Sequence, residues 1–124
     1  MSLVNEIVRC KKCGAVFENV SPADAPLGEE CAWEAVRVNT EDGAAEKHLP
    51  VVERRDDGVF VKVGEAAHPM LEAHYIQWIE VIDGADVFRH HLLPGEAPEA
   101  FFRAKLRPGA VVRAYCNIHG LWTK

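Results

Sequence analysis

The chain has 124 residues, 48% of them apolar, and its 14 basic and 19 acidic side chains leave a formal net charge of −5. That length fits one domain, or one with a small appendage, and the apolar share supports a core without disulfides. The acidic balance argues against nucleic acid, which selects basic stripes, and no run approaches the ~20 apolar residues of a membrane-spanning helix.

Residues 1–6 lack the basic and apolar regions of a signal peptide, so the expected location is the cytoplasm, with reduced thiols. Residues 1–36 read as a separate small module. Ile7-Val8-Arg9 is a short strand that feeds Cys10-Lys11-Lys12-Cys13-Gly14, whose spacing suits a metal knuckle better than a disulfide framework. Ala15-Val16-Phe17-Glu18 leaves the knuckle. The prolines and glycine of Ser21-Pro22-Ala23-Asp24-Ala25-Pro26-Leu27-Gly28 mark a loop, and Cys31 follows it. This module has too few large apolar residues to hold itself together without a metal or a neighbour.

Residues 37–124 carry a β pattern, with alternation already visible in Ala35-Val36-Arg37-Val38. A weak helical turn over 42–47 precedes Val51-Val52-Glu53-Arg54-Arg55, an Asp56-Asp57-Gly58 turn and Val59-Phe60-Val61-Lys62-Val63, which together read as a hairpin. Tyr75-Ile76-Gln77-Trp78-Ile79-Glu80-Val81-Ile82 is the strongest strand, and Val87-Phe88-Arg89-His90-His91-Leu92 returns from Asp83-Gly84. Residues 100–106 and 111–116 read as two strands around Arg107-Pro108-Gly109. Many short strands with turn signals between them predict an antiparallel β-sandwich. His90 and His91 on an alternating strand, and Trp33, Trp78 and Trp122, read as structural.

The last strand runs into Cys116-Asn117-Ile118-His119-Gly120, a turn presenting a thiolate and an imidazole. His48 and His68 each sit near a proline that favours extended backbone, and His74 begins the long strand. Four imidazoles and one thiolate make five ligands. A structural zinc closes at four, so the set points to iron with one position open. An axial thiolate pushes electron density onto such a metal.

Glu46-Lys47-His48-x-Pro50, His68-Pro69-Met70, His74-Tyr75-Ile76-x-Trp78-Ile79 and Tyr115-Cys116-Asn117-x-His119-Gly120-Leu121-Trp122 resemble the motifs of the superoxide reductase family. The Cys10/Cys13 module makes the chain similar to the two-domain form, desulfoferrodoxin. The resemblance implies an immunoglobulin-like antiparallel β-sandwich behind a desulforedoxin-like knuckle module. It implies mononuclear iron, Fe(II)/Fe(III), held by His48, His68, His74 and His119 in the equator with Cys116 axial. The implied activity is one-electron reduction of superoxide to hydrogen peroxide. Lys47 would attract and orient superoxide, and Glu46 would cap the ferric resting iron. A rubredoxin electron donor and a homodimer are also implied. Local positive charge matters because an anionic substrate meets a net-negative protein, and screening over about 10 Å at 0.1 M salt leaves a nearby ammonium and the metal in control.

The chain departs from that family at its first centre. Desulfoferrodoxin holds iron there by four cysteines, the second pair adjacent, whereas this chain reads Glu30-Cys31-Ala32. A four-sulfur centre cannot form within the chain. An empty site, a three-sulfur site with iron or zinc completed by water or a carboxylate such as Glu30, and a disulfide all stay open. Loss of the redox role is the expectation. The rival readings are a non-enzymatic, zinc- or iron-binding β-sandwich and superoxide dismutation at the same residues.

Overall fold

The computed structural model describes residues 4–23, 33–36, 38–39 and 45–123, without the side chains of Ala45 and Glu46. Glu30, Cys31 and most of the 40–47 approach to His48 therefore lie outside the described residues or only partly within them. The chain divides into two compact units, Met1–Arg37 and Val38–Lys124. Among the described residues no helix is long and apolar enough to cross a membrane.

The first unit is a three-stranded antiparallel sheet of β1 (Ile7–Cys10), β2 (Val16–Glu18) and β3 (Trp33–Ala35), ordered β2-β1-β3. The Cys10 amide donates to the Ala15 carbonyl at 2.8 Å and the Gly14 amide to the Cys10 carbonyl at 2.9 Å, which closes the knuckle turn. Trp33 meets Phe17 edge to face, with ring centroids 4.6 Å apart. This aromatic pair reaches across β1, whose neighbours in the sheet are the strands that carry the two rings.

The second unit begins with β4 (Val38–Asn39), a single helical turn α1 (Ala45–His48), and the hairpin β5 (Pro50–Arg55) and β6 (Gly58–Val63). β7 (Ile76–Asp83), β8 (Asp86–His91), β9 (Glu99–Phe102), β10 (Val111–Cys116) and β11 (Gly120–Thr123) follow. They form a five-stranded sheet, β4-β11-β10-β7-β8, and a three-stranded one, β5-β6-β9. Among the described residues only β4 and β11 pair in parallel; the other ladders are antiparallel.

Period-two alternation sorts the side chains. Val59, Val61 and Val63 of β6, Ile79 and Val81 of β7, and Val112, Ala114 and Cys116 of β10 meet in one buried cluster. Each fully buried branched side chain there is worth roughly 1.5–3 kcal/mol. The alternate residues of β7 and β10 face the other way. Trp78 stacks on Tyr115 with ring planes 8° apart, and Glu80, fully buried, is clamped by Arg113 at 2.6 Å and Arg89 at 2.7 Å. Each of its oxygens has a guanidinium partner, which offsets the cost of burying the side chain.

Two sequence expectations change. Residues 100–106 and 111–116 are not a hairpin about Arg107-Pro108-Gly109. β9 ends at Phe102 and pairs with β6, whereas β10 pairs with β7 and β11, so the segment crosses between sheets. Arg107 explains the crossing: its side chain donates to the Asp83 carboxylate at 3.2 Å and to the Asp83 carbonyl at 2.7 Å, tying it to the end of β7. Gly58 does not belong to the turn. It opens β6 opposite Arg55, and a Cβ there would overlap the Phe102 carbonyl and come within 2.7 Å of the Phe101 ring. Close approach of β9, rather than turn geometry, requires that glycine.

Candidate metal centre

The inward row of β10, Val112, Ala114 and Cys116, ends at the sulfur, which is fully buried. The turn after it returns through Gly120, at φ +83°, into β11. Within that turn the His119 amide donates to Cys116 Sγ at 3.4 Å, and His119 Nδ1 lies 3.7 Å from the same sulfur. Burial pushes the Cys116 thiol up, while the amides of His119 and Ile118 pull against it. A thiol desolvated in this way becomes a thiolate when a cation compensates it.

His48 is the last residue of α1 and is 2% exposed. The approach to it depends on Gly64, at φ +85°, whose amide donates to the Leu49 carbonyl at 3.0 Å. A Cβ at Gly64 would stand 2.6 Å from the Lys47 carbonyl, so only glycine lets the end of β6 lie against α1. His68, 3% exposed, has Nδ1 2.6 Å from the Pro69 carbonyl. That contact puts the proton on Nδ1 and leaves the Nε2 lone pair free for a metal. His74 lies just before β7, where its amide and carbonyl exchange hydrogen bonds with Leu71 at 3.0 and 2.9 Å.

The four rings form a square. Centroids of successive neighbours His48, His68, His74 and His119 are 4.6, 4.8 and 4.9 Å apart, and His119 returns to His48 at 4.6 Å. The His48–His74 diagonal is 6.5 Å, close to the diagonal of a square with such sides. One donor atom from each ring and Cys116 Sγ all lie within 4.8 Å of one another. His68 Nε2 and His48 Nε2 approach to 3.1 Å. His74 Nε2 is buried with no hydrogen-bond partner, an arrangement that costs about 1–3 kcal/mol unless something satisfies it.

Charge in the pocket is set against protons. Burial, opposed by the Pro69 carbonyl and reinforced by His48, His74 and His119, lowers His68 to about 4. Burial, then His119 and Lys47, lowers His74 as well. Imidazoles with converging ring nitrogens, one of them orphaned, and a buried thiol fit a divalent or trivalent cation. Four nitrogens and one sulfur exceed a structural zinc set and suit iron.

The sequence-predicted ligands His48, His68, His74, Cys116 and His119 are thus brought together. Lys47 is exposed one residue from His48, and its charge is felt at His74. The side chain of Glu46 lies outside the described residues, as does Cys31. Cys10 and Cys13 are free thiols at the end of β1 and in the turn beyond it. Two supporting residues were not predicted. Trp122, paired with Ala114 and therefore on the inward face, stacks on His48 at 4.7 Å and 19°, and its Nε1 donates to the His119 carbonyl at 3.1 Å. Asn117 donates to the Ala73 carbonyl at 3.1 Å and accepts from the Tyr75 amide at 2.9 Å. Their sequence signal is membership of the motif Tyr115-Cys116-Asn117-x-His119-Gly120-Leu121-Trp122, which gives them no role of their own.

A family profile described as Desulfoferrodoxin matches residues 40–124. The desulfoferrodoxin of Syntrophotalea carbinolica is 45% identical over 121 residues, covering 95% of this chain and 94% of that protein. A desulfoferrodoxin homolog from Methanothermobacter thermautotrophicus is 46% identical over 125 residues, 98% of this chain and 99% of that one. The crystal structure of the superoxide reductase from Treponema pallidum superposes with a TM-score of 0.73 at 34% identity, covering 96% and 95% of the two chains.

Proposed function

The chain belongs to the desulfoferrodoxin family, and on that footing we propose that it is a superoxide reductase, with residues 37–124 as the catalytic domain and 1–36 as an accessory module. The observation that carries the reading is the square of His48, His68, His74 and His119 converging with Cys116 on one point. Iron held by those five residues would supply the single electron that superoxide takes up. The overall change is superoxide plus one electron plus two protons to hydrogen peroxide, with no oxygen released.

The chain's own groups divide the remaining work. Lys47, exposed beside His48, draws the anion toward the centre against the global charge. The His119 amide donates to the Cys116 sulfur and tempers its donor strength. Trp122 keeps water from one face of His48 and orients His119 through its carbonyl. Glu46 is assigned the closing of the open position between turnovers. An electron donor of the rubredoxin kind and a homodimeric assembly complete the proposal. Leu71 and Ile118, near His74 and His119 in sequence, are exposed apolar side chains and are offered as the contact for such a donor.

The test is metal content and visible spectrum of freshly purified protein, then product stoichiometry with generated superoxide and a reduced donor. One peroxide formed per superoxide, with donor oxidation and no oxygen, is the expected result. Oxygen release without donor consumption would identify a dismutase. Colourless, zinc-loaded protein after expression with ample iron would leave a non-enzymatic sandwich.

A further inference from the structure

The N-terminal knuckle has chemistry that the histidine site does not use. The chain has four cysteines, and Cys116 belongs to the imidazole cluster. Three thiols remain, whereas the tetrathiolate iron centre implied by the resemblance needs four. The residues do not fit that group.

What the knuckle does hold is a built pair. β1 delivers Cys10 into a turn closed by the Gly14 amide on the Cys10 carbonyl at 2.9 Å. The turn thereby holds Cys10 and Cys13 three residues apart in one closed loop. The backbone at Cys13 and Lys12, then the Cys13 side chain, holds the Cys10 thiol below its usual range, against desolvation. Cys10 is half-buried and Cys13 exposed, with Lys11 and Lys12 exposed between them. Amide donors favour thiolate over thiol, and the thiolate is the form that attacks peroxide. A second thiol in the same closed turn is placed to resolve the product before it oxidises further.

We propose that Cys10 and Cys13 form a peroxide-oxidisable dithiol that cycles to a disulfide instead of holding iron, with Cys10 attacking and Cys13 resolving. The Cys10 thiolate attacks one oxygen of hydrogen peroxide; the O–O bond breaks, the departing oxygen leaves as hydroxide, and Cys10 becomes a sulfenic acid. The Cys13 sulfur then displaces that hydroxyl, forming the S–S bond and, with the Cys13 proton, one water, while the hydroxide from the first step takes a proton from solvent. Two electrons pass from the sulfurs to one peroxide. A dithiol reductant returns the pair by exchange. The superoxide reductase reading supplies the source of the peroxide, and that source alone rests on it.

The experiment uses full-length, iron-loaded protein, reduced, freed of reductant, treated with added hydrogen peroxide, then alkylated and digested. The expected map shows Cys10 and Cys13 joined to each other and protected from alkylation. In Cys13→Ser protein Cys10 stops at a sulfenic acid that dimedone traps, and in Cys10→Ser protein Cys13 oxidation slows about tenfold or more. Both residues recovered as free thiols, a bridge from either to Cys31, or a knuckle-bound metal that Cys10→Ser abolishes would each overturn the proposal. The wild-type map decides even where a variant fails to fold. Because the peroxide is added, a failed superoxide assay leaves this result standing, and the reverse holds too.

Discussion

Asn117 and Tyr75 are joined twice: Asn117 Oδ1 accepts the Tyr75 amide at 2.9 Å, and the Asn117 amide donates to the Tyr75 carbonyl at 3.2 Å. With the Ala73 carbonyl taking the side-chain amide at 3.1 Å, the residue after Cys116 holds the chain on both sides of His74. Two ligands from distant segments are thereby kept in one frame, and the pleated ladder does not do this alone, because the β7–β10 register shifts between Tyr115 and Cys116.

Asn117→Ala removes the side-chain half of that grip and leaves the Ala73 carbonyl and Tyr75 amide to water. Iron affinity is expected to fall about 10–100-fold, as for other groups that orient ligands, with a stability loss of about 1–3 kcal/mol. Asn117→Asp keeps the acceptor toward Tyr75 and loses the donor toward Ala73, so it should fall between wild type and alanine. Competition with a coloured chelator ranks the three proteins. Equal affinities would mean that backbone pairing alone positions His74.

Trp122 is the second support. Its ring is 1% exposed and lies flat on His48. Trp122→Ala should cost about 3–5 kcal/mol as a large core cavity. Trp122→Phe keeps most of the stack and loses the bond to the His119 carbonyl, so it should cost about 1 kcal/mol and shift the visible band of the iron-loaded protein. Urea unfolding and the spectrum separate the two effects; a phenylalanine variant with an unchanged band would remove Trp122 from the support of His119.

The ligands were legible because their chemistry is rare: imidazole and thiolate at Cys116-x-x-His119, with further histidines near prolines and at a strand start, have few other uses as a set. The strands were legible because Val59, Val61 and Val63 alternate with Phe60 and Lys62. What was not legible depends on contacts between segments far apart in sequence. Arg107 reads as an ordinary turn residue until Asp83 captures it. Gly58 reads as a turn glycine until β9 presses on it. Trp122 reads as packing until the Ala114 register turns it inward toward His48.

Protonation gives a signed prediction for the metal-free protein. An unfolded histidine binds a proton near 6.5, whereas folded His68 resists until about 4, first because it is buried. Between those values the unfolded chain holds more protons, so stability is full above about 6.5 and is lost as pH falls toward 4. His74 is shifted in the same direction. Cys116 has the opposite sense: its folded thiol is raised above 9.0, so its contribution fades as pH climbs through that region. Urea midpoints of metal-free protein should therefore fall on the acid side of 6.5 and again in alkali. Gln at position 68 should flatten the acid limb, and an unaltered limb would assign it elsewhere.

Lys47 decides whether the local field governs substrate entry. The protein carries −5 overall, yet Lys47 is exposed beside His48 and its charge reaches His74. Screening lengths of about 30 Å at 0.01 M salt and 10 Å at 0.1 M mean that the global repulsion fades first as salt rises. Lys47→Ala should therefore slow the superoxide step several-fold at low salt, with a smaller difference at high salt, while iron content stays equal to wild type. Lys47→Arg keeps the charge and should retain most of the rate. Pulse radiolysis across a salt series reads all three proteins. If alanine leaves both the rate and its salt slope unchanged, the ammonium has no steering role, and the metal charge alone draws the anion in.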